Sequence, residues 1–120
     1  MIELLVVILM VGILAAIALP TFLGQTGKAH DANTKADVRN AVTQMESCFQ
    51  RAASYSGCPD AEHPFAPDVS ASISGGGSSF SVSKTSDRTG TVFTIERVGI
   101  GYERSCTRPD VSGCRGDSSW

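Results

Sequence analysis

Few residues in this chain are of types and spacings that could do chemistry, and the most telling is an acid. Glu3 is the only charged residue before Lys28, and it opens an uninterrupted apolar run. A carboxylate at a helix start is favoured by the unpaired N–H groups gathered there. At membrane depth or in a dry protein core, however, it needs a partner. No basic residue of this chain lies within reach, so the partner must come from elsewhere, and an α-ammonium group is the obvious candidate. Four cysteines form a second set: Cys48 with Cys58, and Cys106 with Cys114, each close in sequence. None makes a C-x-x-C pair, and His30 and His63 stand alone, which argues against zinc. An even cysteine count in a small domain behind a membrane segment fits disulfides in an oxidising compartment. Four cysteines allow three connectivities, and spacing does not choose among them. Local pairing, Cys48–Cys58 and Cys106–Cys114, is the expectation.

Other chemistries lack their residues. Gly75-Gly76-Gly77-Ser78 has no lysine and cannot serve as a phosphate-binding loop. No serine has a His and Asp arranged around it, and His30 and His63 are expected at the surface. The formal net charge is −2 and no basic cluster is visible in the sequence, which speaks against nucleic acid as a partner. Neither Asn33 nor Asn40 begins a glycosylation sequon, and the serines from Ser70 to Ser86 read as a polar sheet edge and loop more readily than as O-glycosylation sites. No cofactor, no metal and no enzymatic activity is expected.

The elements that must position these residues divide the chain in two. From Leu4 to Gly27 there is no charge, and the apolar run is near the length a bilayer-spanning helix requires. A cleaved secretory signal would begin with Lys or Arg, and here the sole charge has the opposite sign. Gly12 weakens the helix and Pro20 cannot donate a backbone hydrogen bond, so a break is expected near 12–20. Residues 1–27 thus form an apolar helical segment, and 28–120 form a head. In the head, Val38, Val42, Met45, Phe49 and Ala52 recur at spacings of three and four as an apolar stripe, with Asp31 and Lys35 as an i,i+4 ion pair off it. The helix is expected to reach about Ser54, with Gly57 as its stop. A continuous helix of that extent would be about 80 Å long, far more than a bilayer is thick. Its outer half must therefore pack on something, and strand signals follow: weakly at Val69–Ile73, then around Phe80 and Val82, at Val92–Ile95 and at Ile100–Arg104, with a turn at Ser86–Gly90. The expected fold class is α+β, a long N-terminal helix whose C-terminal half packs on a three- to four-stranded antiparallel sheet spanning about 69–105. The tail from Cys106 to Trp120 reads as irregular, with Trp120 as a packing anchor.

The string Met1-Ile2-Glu3-Leu4-Leu5-Val6-Val7 through Ile13-Leu14-Ala15-Ala16-Ile17-Ala18-Leu19-Pro20 closely resembles the N-terminal signature of type IV pilins and of the related type II secretion pseudopilins. The resemblance covers about the first quarter of the chain. It implies a structural subunit that is held by a single span in the cytoplasmic membrane and then polymerises with identical copies into an extracellular filament. It also implies a prepilin peptidase, which removes a short basic leader and methylates the new N-terminus, and a dedicated assembly machinery. By that resemblance Glu3 would attract the methylated ammonium of a neighbouring subunit. The stretch between Gly12 and Pro20 would open on entering the filament, and a Cys106–Cys114 loop would correspond to the C-terminal disulfide-bounded region of many pilins. Members of the family carry two more residues, typically Phe-Thr, ahead of the position of Met1, so Met1 is read as a truncated or differently annotated start. The leading expectation is a major pilin. The alternatives are a secretion pseudopilin, whose head commonly holds calcium where pilins hold a disulfide, and a minor pilin for adhesion or DNA uptake.

Overall fold

The computed structural model describes residues 1–110 and 113–120, with the backbone alone at Leu23. A single helix, α1 (Ile2–Ala52), is followed by four strands: β1 (Val69–Ser74), β2 (Ser79–Thr85), β3 (Val92–Val98) and β4 (Gly101–Cys106). The strands form one antiparallel meander in the order β1-β2-β3-β4. The C-terminal half of α1 lies over β1 to β3. The fold is therefore α+β, as its sequence pattern implied. The molecule is 76 Å in its longest dimension, which is the length of the helix.

The helix runs without interruption through Gly12 and Pro20. The break expected near 12–20 is thus not present in the isolated chain. Proline forfeits one backbone hydrogen bond, to the carbonyl four residues back, and the neighbouring bonds hold the helix together. Thr21 adds local support, its hydroxyl lying 2.9 Å from the Ala18 carbonyl oxygen and 3.2 Å from that of Ile17. The helix ends close to the expected Ser54, but the residue that ends it is not the expected Gly57. It stops at Ala53, which takes the left-handed conformation (φ 52°) and donates its N–H to the Phe49 carbonyl at 2.7 Å. Gly57 serves a later turn instead.

The buried face of α1 is Asp31, Thr34, Val38, Ala41, Met45 and Cys48, an alternation of three and four residues. The expected stripe overlaps it at Val38 and Met45; Val42 and Phe49 lie half-buried at its flank and Ala52 is exposed. Opposite, Phe80 and Val82 of β2 and Phe93 and Ile95 of β3 alternate inward, as a sheet with one buried face requires. Tyr55 joins them, fully buried, with its ring centroid 4.6 Å from those of both Phe49 and Phe80. Each such side chain contributes roughly 1.5–3 kcal/mol of transfer free energy.

Two short loops close this small core. Cys48 pairs with Cys58, tying the helix end to the segment that follows, and Cys106 pairs with Cys114, tying the end of β4 to the tail. Residues 111 and 112 of the second loop lie outside the described residues. The β1–β2 connection carries Gly75, Gly76 and Gly77 at φ 61°, 65° and 92°, three consecutive positions where a side chain would be strained. That backbone demand accounts for the triple glycine.

Candidate assembly surface and head contacts

The first turn of α1 carries Glu3, exposed and without an ion pair among the described residues. Lys28 lies roughly 38 Å further along the helix at 1.5 Å per residue. Behind Glu3, large apolar side chains face outward in every direction: Leu4, Leu5, Ile8, Leu14, Ile17 and Phe22 are all more than half exposed. A helix apolar all round belongs in a bilayer or inside a larger assembly. This is one helix long and apolar enough to cross a membrane. Gly12 and Pro20 lie within this overhang, beyond the reach of the sheet.

The remaining expected site residues, the four cysteines, are consumed in the two disulfides and offer no thiolate. His30 and His63 are exposed, and His63 lies 3.0 Å from Asp60. Among the described residues no group of three metal-ligating side chains comes together.

Two constellations in the head escape sequence reading. In the first, Glu46 Oε1 accepts hydrogen bonds from Tyr55 at 2.8 Å, Arg97 at 2.6 Å and Tyr102 at 2.5 Å. Arg97 also donates to the Tyr55 oxygen and stacks over the Phe49 ring. Burial would raise the Glu46 carboxyl, but hydrogen bonds from Tyr102, Tyr55 and Arg97 outweigh it and hold the group below the usual range. Burial and the Glu46 carboxylate together push Tyr55 up to about 12, and raise Tyr102. This knot joins the helix, β3, β4 and the segment after the helix.

Protein-family models, curated proteins and solved structures all contain no match to this chain. The architecture, a long apolar N-terminal helix packed on a four-stranded antiparallel sheet with disulfides, is compatible with the pilin fold that the N-terminal string led us to expect.

The second constellation surrounds Trp120. Its indole N–H lies 2.9 Å from the Ser105 carbonyl oxygen and 3.3 Å from that of Thr94, and its ring meets Phe93 edge-on. Around that ring stand Arg39 at 5.2 Å, Arg104 at 5.6 Å and Lys35 at 5.6 Å. Burial pushes the Lys35 ammonium down; Asp31 opposes that shift, while Arg39 and Arg115 reinforce it. Residues far apart in sequence thus make a basic cluster that the linear chain conceals. The anticipated Asp31–Lys35 pair is also rearranged. Thr89 donates its hydroxyl to the buried Asp31 carboxylate at 2.6 Å, and Lys35 reaches the Gly113 carbonyl at 2.6 Å. Both side chains serve contacts across the fold instead of a direct bond along the helix.

Proposed function

We propose that this chain is a structural subunit of an extracellular type IV pilus, held in the cytoplasmic membrane by α1 before it polymerises through the same helix. The observation that carries the proposal is the overhang: a helix exposed and apolar on all sides from Ile2 to Phe22, headed by one carboxylate that has no ion-pair partner among the described residues. A bilayer satisfies the apolar surface but leaves Glu3 without a counter-charge. A bundle of identical helices satisfies both, because each neighbour supplies apolar surface and an amino terminus. A heterologous contact that repeats without closing generates a helical filament. In this role the protein performs no catalysis. Prepilin peptidase and the pilus assembly machinery are its implied partners, and the disulfide-stapled head favours a pilin over a calcium-dependent pseudopilin.

Glu3→Gln tests the proposal because it keeps the shape and removes the charge. We expect the variant chain to reach the membrane at the normal level while the sheared-filament fraction is depleted about tenfold or more, consistent with loss of a desolvated charge pair. A normal filament yield from Glu3→Gln would refute the assembly role of this residue.

A further inference from the structure

Resting on the filament reading above, the structure assigns a specific contact between the heads of successive copies: the Glu96–Glu103 pair of one copy docks on the cation-ringed Trp120 of the next. Two independent features lead to it, and they lie on opposite faces of the sheet.

On the outer face, Glu96 of β3 and Glu103 of β4 stand directly opposite one another in the strand register. Both are exposed, and neither forms an ion pair among the described residues. Side chains so paired have Cβ atoms about 4.5–5.5 Å apart, and like charges there are destabilising. The row they occupy continues through Ser81 and Ser72, small hydroxylated residues that leave the face flat and open to close approach.

On the helix side, Arg39 and Arg104 lie against the Trp120 ring. Neither side chain meets a carboxylate among the described residues. Elsewhere in the head, Arg51 pairs with Asp60, Arg97 with Glu46 and Lys84 with Asp37. Stacking on an indole face holds a guanidinium in place and leaves its N–H edge free for a planar anion. The ring therefore presents two guanidinium forks, Arg39 and Arg104, that meet no carboxylate among the described residues.

Each feature is incomplete alone, and each supplies what the other lacks. Because they occupy opposite faces of one sheet, their pairing is heterologous: copy n presents carboxylates to copy n+1, and the relation repeats. An external polyanion would satisfy the cations but leave the glutamate pair unrelieved. A second copy of this chain satisfies both.

Charge reversal with compensation is the test, in cells that make the full chain. Glu103→Arg alone and Arg39→Glu alone are each expected to lower sheared-filament yield about tenfold, since like charges brought together at an interface cost several kcal/mol. The two reversals combined in one chain should recover most of the yield, because each copy again meets an opposite charge. Membrane level and resistance to thiol labelling report that the variants fold with both disulfides formed. Should a reversal lower that level, Arg39→Gln at the same exposed position must still reduce yield; an unchanged yield overturns the contact. Single reversals at full yield, or a double variant no better than the singles, would also overturn it. So would normal filaments from Arg39→Glu that lose retention on heparin–agarose, which assigns the ring to an external polyanion. Absence of filaments from the unaltered chain overturns the filament reading itself, and this contact with it.

Discussion

Glu46 shows how one residue can set the acid–base behaviour of its neighbours. The chain has two tyrosines, Tyr55 and Tyr102, and both donate to this carboxylate. Their pKa values are raised, so the stabilisation linked to them is complete below pH 10 and is lost as pH climbs toward about 12. Absorbance at 295 nm should therefore show no phenolate titrating at the ordinary tyrosine pKa in the folded chain. Glu46→Gln should bring Tyr102 back toward 10. The carboxyl itself is depressed, so its contribution is complete above pH 4.5 and falls away below it. The unfolding temperature should accordingly fall as pH drops below 4.5 in the unaltered chain, and fall less in Glu46→Gln. A tyrosine titrating normally in the folded chain would show that the knot is not formed in solution.

At the scale of elements, the helix terminus offers the clearest single change. Ala53 holds a left-handed conformation that glycine adopts without cost. Ala53→Gly should stabilise the head by about 1 kcal/mol, read from denaturant midpoints at constant slope. A destabilised variant would place the helix end elsewhere. This position also marks the limit of what the sequence discloses. The strands were legible because Phe80 and Val82, and then Val92 to Ile95, carry β-forming residues between strong turn signals. The existence of a long helix was legible from its apolar run and its stripe. Its extent to about Ser54 was legible too, but the residue that ends it was not, because Ala53 lacks the glycine that usually announces a stop. The inward face was only partly legible for a related reason: Asp31 and Thr34 are polar, and the hydrogen bond that Asp31 accepts from Thr89 of the β2–β3 turn exists only once the sheet has folded. Glu3, Gly12 and Pro20 could be singled out from type and position alone. The Trp120 ring could not, since Arg39, Arg104 and Trp120 meet only after the sheet and the tail have folded.

Across the whole molecule, a small head is joined to a helix too apolar to stand alone in water. Such a head buries a modest core, and its two short disulfide loops supply about 2–3 kcal/mol each by the chain-entropy estimate. Reduction should therefore lower the unfolding temperature of the detergent-solubilised chain by more than 10 °C, given the few degrees per kcal/mol usual for a domain of this size. A reduced chain that melts unchanged would show that the core suffices unaided. The same division sets where the charge lies: the overhang carries only Glu3, so nearly every ionised group is displayed on the head.

The continuity of α1 has a mechanical consequence. One rod 76 Å long extends from the overhang into the head, and the sheet grips it side-on along Asp31 to Cys48. A pull along the rod axis loads Thr34, Val38, Ala41, Met45 and the Cys48–Cys58 staple together, in shear, instead of peeling them away one at a time. A fibre built on such rods would carry tension through parallel bonds at every joint between rod and head.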